Sequence, residues 1–273
     1  MPELPEVEVV RRGIAPILIG QPLVSVWASG KPLRSFSGDS ARLQPLIGQY
    51  LQSVERRSKT LVLAFDQHHL RLHLGMSGVL RAQAGQASGM QSPDLHTHLV
   101  LGFESATLWL RDPRRFGDAQ VCPPDADWPA SAKGLEPLSG EFTAEAMSIS
   151  ASGVRQAVKP WLMAGTAVVG VGNIYACEAL FRAGIHPARA AGRIAPARMR
   201  LLVQVIQAVL SEAIARGGST LRDFHGHDGE QGLYRADHLV YGRQGHPCPR
   251  CQRPIRRIVQ AQRSTFYCSG CQR

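Results

Sequence analysis

From Leu4 onward, Val7, Val10, Ile14 and Ile17 recur three or four residues apart, the spacing that lines one face of an α-helix. Pro5 falls in the first turn, where a missing N–H is no loss, Gly20 closes the segment, and Pro16 predicts a kink. Between about residues 22 and 122 the rhythm changes to short β-type runs, PLVSVWAS, LQSVERR, TLVLAF, LRLHL, HLVLGF, ATLWL and DAQVC, punctuated by Gly, Pro, Asp and Ser. They predict a largely antiparallel β domain. The stretch CPPDADWPASAKGLEPLSG is proline-rich and reads as a linker. Beyond it the pattern turns helical: in PARMRLLVQVIQAVLSEAIARGG, Met199, Leu202, Val203, Ile206, Val209, Leu210, Ala213 and Ile214 form one stripe that ends at Gly217 and Gly218. A shorter helix is expected to start near Asn173 and stop at Gly184 and Pro187. The organisation is α+β, with a β-rich part at 1–135, a linker at 136–150, a helical part at 151–237 and a terminal segment at 238–273.

A chain of 273 residues, 44% of them apolar, is long enough for about two domains with real cores. No apolar run approaches the roughly 20 residues needed to cross a bilayer, and the acidic, proline-containing start is unlike a secretory signal. The expected setting is the cytoplasm, with no membrane partner. A net charge of +10 points to a polyanion, nucleic acid first. The basic residues are scattered, which favours a folded charged surface over a disordered arm, and a solvated basic surface without a partner is the plain alternative. Lysine is scarce: Lys31, Lys59, Lys133 and Lys159 stand among 31 basic residues. Arginine stays charged and lysine can lose its proton, so each surviving lysine is a candidate titrating group.

The most specific motif is the last: CPRC at Cys248 and Cys251, then sixteen residues, then CSGC at Cys268 and Cys271. Two such knuckles read as a tetrahedral four-thiolate site for one structural zinc ion, since each clamps two vertices and four thiolates leave no open position for catalysis. Disulfides and an iron–sulfur cluster are the alternatives; the cytoplasm disfavours the first and the β-like spacer gives no support to the second. Arg253, Arg256, Arg257 and Arg263 make the intervening hairpin basic, while Cys122 and Cys177 read as ordinary buried thiols.

MPELPEVE at the start, HLGMSG at 73–78, DPRRFG at 112–117, KPWLM at 159–163, VVGVGNIYACEALF at 168–181 and QAQRSTFYC before the last knuckle follow one another in order along the whole chain. Together they resemble the bacterial formamidopyrimidine-DNA glycosylase family. The resemblance implies an N-terminal antiparallel β-sandwich flanked by helices, a helix-two-turns-helix domain and a C-terminal zinc finger. It also implies a bifunctional base excision repair enzyme that flips out oxidised purines, excises them and cuts the strand by β- and δ-elimination. Duplex DNA would be its partner, as a monomer and without a small-molecule cofactor.

The residues carry that chemistry plausibly. Pro2, freed of Met1, would offer a secondary amine; a model α-amino group has a pKa near 7.7–8.0 against about 10.4 for lysine, so more of it is nucleophilic at neutral pH. Glu3 beside it is placed for proton transfer at the sugar, although Glu3 and Glu6 could equally be favouring a helix N-terminus. Lys59, between Arg56–Arg57 and a strand, matches a family lysine that assists proton transfer, with Thr60 standing where an aromatic residue is common. Arg263 matches a position implicated in the second elimination step and in DNA binding. An extruded nucleotide leaves a gap to fill, and Met76, Arg114 and Phe116 match the inserted residues. Lys159, Gly172 and Asn173 match phosphate contacts, the last two with Gly170 at a helix start. His96 matches another contact and alternates with His98, so both are expected on one side of a strand, where His96 could simply face solvent. Arg155 is the nearest basic residue to a further contact. The stretch STLRDFHGHDGEQGLY, 219–234, is expected to cover the base. Two other functions compete: an oxidised-pyrimidine glycosylase of the same superfamily, and a non-catalytic zinc DNA-binding protein, which would have no use for a terminal proline.

Overall fold

The structure, a computed structural model, describes residues 2–85, 94–128, 132–218 and 238–273. Its Cα positions group into two compact units, Met1–Asp127 with Gly217–Leu233 and Trp128–Arg216 with Tyr234–Arg273.

In the first unit, helix α1 (Leu4–Leu18) buries Val7, Val10, Ile14 and Leu18, so the sequence stripe is its inner face. Pro16 lies in its last turn. Two four-stranded antiparallel sheets follow. One has the order β1 (Leu23–Ala28), β6 (Thr97–Phe103), β7 (Ala106–Arg111), β5 (Val79–Ala84). The other runs β2 (Leu51–Arg57), β3 (Thr60–Phe65), β4 (His69–His73), β8 (Asp118–Cys122). Leu61, Leu63, Leu70 and Leu72 of one sheet join Leu99, Leu101, Leu108 and Leu110 of the other, together with α1, in a single apolar cluster. This is the expected sandwich with its helix.

Strand β5 was not among the expected β runs. Its sequence VLRAQA puts Val79 and Leu80 inside in succession and relies on Ala82, so alternation is weak; pairing with β7, Leu80 opposite Leu110, makes it a strand.

The second unit is helical and ends in a hairpin. It holds α2 (Ala144–Ala151), α3 (Val158–Met163), α4 (Asn173–Arg182) and α5 (Pro196–Ala215), then β9 (Arg256–Gln260) paired with β10 (Arg263–Tyr267). The buried side of α5 is the eight-residue stripe read from sequence. Helix α2 falls largely within the stretch expected as linker. Thr143 caps it by accepting from the Ala146 N–H at 3.2 Å, and Met147 and Ala151 bury against the unit, too little apolar area to announce a helix in sequence.

The terminal segment docks onto α4 within this unit. Glu178, fully buried, accepts the backbone N–H groups of Leu239, Val240 and Tyr241 at 2.8–3.0 Å. Burial pushes its carboxyl up, against the pull of those three donors. Arg250 lies 4.7 Å from the centre of the Phe181 ring and donates to the carbonyls of Phe181 and Arg182. Among the described residues no helix is long and apolar enough to cross a membrane.

Candidate active site

Pro2 is buried immediately ahead of α1. Glu3, 2% exposed, is the N-cap, and it forms a capping box with Glu6: the Glu3 side chain accepts the Glu6 N–H, and Glu6 Oε2 accepts the Glu3 N–H at 2.8 Å. The helix-start reading of these glutamates stands, and the box fixes the peptide that follows Pro2. Gly218, at φ 82°, packs so closely on Glu6 that a Cβ there would lie 3.2 Å from the carboxylate arm.

Lys59 is the second residue of the two-residue turn joining β2 to β3, with Arg57 paired to Thr60 and Ser58 at φ 58°. Arg56 Nη1 donates to the Ser58 carbonyl at 2.9 Å, and Arg56 Nε to Glu8 at 3.2 Å. Burial pushes the Glu8 carboxyl up, but hydrogen bonds from Arg11 and Arg12 and the charges of Arg11 and Arg56 outweigh it and hold it at about 2. His73, opposite Thr60 in the sheet, is pushed down to about 4 by burial and by the charges of Arg34 and Lys59. Its Nδ1 accepts the Gly75 N–H at 3.0 Å, the role of a neutral imidazole.

The two expected wedge loops pack on each other. Gly75, at φ 61°, sits where a Cβ would lie 2.3 Å from the Phe116 carbonyl carbon, so HLGMSG and DPRRFG can approach this closely only through a glycine. Met76 is 38% exposed and Phe116 41%, large apolar side chains in the open, and the Arg114 guanidinium lies 4.7 Å from the Phe116 ring centre. Asp112, which sequence reasoning passed over, ties the pair together. Fully buried, it accepts from Ser77 Oγ at 2.6 Å and from the N–H groups of Gly117 at 2.7 Å and Arg114 at 3.3 Å. The signal was there: an acidic residue opening a turn is a common receiver of backbone N–H groups.

The histidine expectation is corrected. His96 lies in the turn before β6, whereas His98 is buried within it, bonded to Ser29 Oγ at 2.9 Å and to the Asp112 carbonyl at 3.1 Å. Alternation fails because the strand begins at Thr97 and a register shift separates Thr97 from Leu99. Burial first, and the charges of Lys31 and Arg115, lower the His98 pKa against the raising effect of Asp112.

In the second unit Lys159 is 1% exposed, and its ammonium donates to Asn173 Oδ1 at 2.5 Å, Thr265 Oγ1 at 2.8 Å and the Ser264 carbonyl at 3.4 Å. It joins α3, the start of α4 and β10. Asn173 is the first residue of α4, Gly172 its N-cap, and Gly170 precedes them at φ 78°. Arg263 is exposed at the start of β10, beyond the turn residues Ala261 and Gln262, both at positive φ (45° and 60°). Arg155 is exposed in the connection between α2 and α3. The base-covering stretch 219–234 lies outside the described residues.

Cys248, Cys251, Cys268 and Cys271 bring their sulfurs within 4.8 Å of one another. Burial, then hydrogen bonds with Cys251, Cys248 and Cys268, push the Cys271 thiol up to about 12, so a divalent cation bound there displaces its proton. Gly270 keeps the second knuckle open, since a Cβ there would lie 3.1 Å from the Cys251 sulfur. The donor set and its closeness fit one tetrahedral zinc ion.

Three family profiles match consecutive parts of the chain: the formamidopyrimidine-DNA glycosylase N-terminal domain over residues 1–119, the formamidopyrimidine-DNA glycosylase H2TH domain over 133–225, and a zinc finger found in FPG and IleRS over 245–273. A formamidopyrimidine-DNA glycosylase of Alkalilimnicola ehrlichii is 46% identical across the full length of both chains. The chain belongs to the formamidopyrimidine-DNA glycosylase family. Among solved structures of that family, the Thermus thermophilus protein is 36% identical with a TM-score of 0.87, over 99% of this chain and 98% of that one. The Lactococcus lactis protein, in complex with DNA containing an abasic site, is 31% identical with a TM-score of 0.88, over 99% of each chain. Membership makes the four cysteines the zinc ligands of the family's finger. The site residues expected from sequence divide between the units, with Pro2, Glu3, Lys59, Met76, His96, Arg114 and Phe116 in the first and Arg155, Lys159, Gly172, Asn173 and Arg263 in the second.

Proposed function

We propose that the protein is a bifunctional DNA glycosylase and AP lyase of base excision repair, acting on oxidised purines such as 8-oxoguanine and formamidopyrimidines. The observation that carries this reading is the buried Pro2 set directly against the Glu3–Glu6 capping box, a nucleophile held by a rigid helix start. Once Met1 is removed, the Pro2 nitrogen attacks C1′ of the extruded nucleotide, the bond from C1′ to the base breaks, and the base leaves with that electron pair. Glu3 takes up the proton that the attacking Pro2 nitrogen gives up and delivers it to the sugar ring oxygen as the ring opens, the departing base is protonated by water, and the result is an iminium at C1′. Loss of a C2′ proton expels the 3′ phosphate, a second elimination expels the 5′ phosphate, and water releases Pro2. Lys59 shuttles protons near the sugar, and Arg263 serves the second elimination.

Phe116 and Met76 fill the vacated stack and Arg114 pairs with the orphaned cytosine. His96, Arg155, Lys159, Gly172 and Asn173 hold phosphates, Lys159 chiefly by fixing Asn173. The zinc holds the hairpin that bears Arg263. We assign the domains to 1–135, 136–150 as connection, 151–237 and 238–273, and take the enzyme to be a cytoplasmic monomer that needs no small-molecule cofactor.

Borohydride reduction in the presence of damaged duplex tests the chemistry. The expected result is a covalent adduct mapping to Pro2, lost in Pro2→Gly; an adduct on Lys59 would overturn the assignment of the nucleophile.

A further inference from the structure

Glu8 is buried on α1 and receives three guanidinium groups: Arg11 through Nε at 3.0 Å and Nη2 at 2.8 Å, Arg12 through Nε at 2.9 Å, and Arg56 through Nε at 3.2 Å. Arg11 and Arg12 share its helix. Arg56 belongs to β2, and its Nη1 passes on to the Ser58 carbonyl at 2.9 Å. Three cations exceed what one carboxylate needs for charge balance, and Arg11 and Arg12 on its own helix already supply two close pairs. The arrangement does fix one peptide. The Ser58 carbonyl belongs to the plane joining Ser58 to Lys59, the central peptide of a two-residue hairpin turn.

Such hairpins choose between type I′ and type II′, and the two differ by a flip of that central peptide. Ser58 has φ 58° while Lys59 is outside the positive-φ residues, which is the type II′ choice, one that favours glycine in the first position. A serine there is strained. A strained turn with an available alternative needs a brace to hold a single direction for the side chain it carries.

We infer that Glu8 and Arg56 are positioning residues that lock the Ser58–Lys59 peptide and so aim the Lys59 ammonium with respect to the start of α1, where Pro2 and Glu3 stand. Glu8 sits on the helix that Pro2 and Glu3 lead into, so one carboxylate ties that helix to the turn of the lysine. The inference rests on the part in proton transfer proposed above for Lys59.

A double-mutant cycle separates aiming from general support. Single-turnover excision of an oxidised purine by saturating enzyme is measured for Arg56→Lys, Lys59→Ala and the double variant, alongside melting temperature and affinity for an uncleavable abasic-analogue duplex. Lysine keeps the charge but lacks the fork that reaches Glu8 and Ser58 together. Arg56→Lys is expected to slow excision about tenfold or more, the scale of ångström-level misplacement. In the Lys59→Ala background the same change should cost less than about twofold, since its target is gone. Ser58→Gly, which relieves the strain and has no folding hazard, should raise the melting temperature while slowing excision. An Arg56→Lys variant at the parental rate, or one equally costly with and without Lys59, overturns the positioning role alone. Lys59→Ala at the parental rate removes the role of Lys59 itself.

Discussion

The turn between β2 and β3 and the turn between β9 and β10 are each two residues long, hold non-glycine residues at positive φ, and deliver a basic side chain, Lys59 in one and Arg263 beyond the other. What surrounds them differs. β3 is buried from Leu61 to Phe65 inside a four-stranded sheet, and its turn is braced by Arg56. The β9–β10 pair stands as a sheet of two strands, with Val259 66% exposed and Thr265 and Tyr267 as its inward residues. Two strands by themselves are marginal in water. The first turn therefore borrows its rigidity from an apolar core, and the second from a metal and from the Lys159 ammonium on Thr265. Strain beside a basic side chain is sustained in both, by unrelated means.

The largest structural effect should come from removing the zinc. Chelation is expected to disorder β9–β10 and lower DNA affinity on the order of 100-fold through lost cationic contacts, while amide exchange protection in β2 and β3 stays intact. Loss of protection in both hairpins together would show that they do not draw their rigidity from separate sources. With both hairpins left folded, Lys59→Ala should slow excision roughly 10²–10⁴-fold, as loss of a proton-transfer group does, with the salt dependence of binding little altered. Arg263→Ala should instead make the plot of log affinity against log salt shallower by about 0.9, one phosphate contact. Equal salt slopes for the two variants would erase the distinction between chemistry and clamping.

A smaller effect distinguishes the turns by pH. Glu8, depressed from 4.5 to about 2, contributes stability that is complete above pH 4.5 and is lost as pH falls toward 2. His73, depressed from 6.5 to about 4, is neutral in the fold while the unfolded chain takes up a proton, so stability also drains as pH falls from 6.5 to 4. The melting temperature of the β-sandwich unit should decline over that window, and His73→Gln should flatten its upper part. An imidazole resonance of His73 titrating near 6.5 would contradict this. The smallest effect belongs to the second turn: Gln262→Gly relieves a left-handed residue and should raise stability by about 0.5 kcal/mol after glycine's own entropy is counted, seen as a small rise in melting temperature.

The parts visible in sequence were those whose partners lie close along the chain. The stripe of α1, the eight-residue face of α5 and the two CxxC knuckles are local patterns, and all stand in the structure as read. β5 and α2 escaped because their short, alanine-containing sequences become regular only against β7 and the helical unit. At the site, the glutamate pair was legible as favouring a helix start, and the structure adds the capping box that joins Glu3 to Glu6. The burial of Lys159 was not, since Thr265 lies 106 residues away, and neither was Asp112, whose worth depends on Ser77 35 residues earlier. The two histidines show the same limit: a two-residue alternation says nothing about where a strand begins.

Glu178 has a consequence in time. Its three donors, Leu239 to Tyr241, follow it by 61 to 63 residues. A ribosome adding roughly 5–20 residues per second makes α4 about 3–13 s before the segment that satisfies this carboxylate exists. Through that interval the nascent helix carries a hydrated acid on a face destined for the interior. The arrival of Leu239, Val240 and Tyr241 exchanges that water for backbone N–H groups, so the burial of this side of α4 waits on a segment made some sixty residues later.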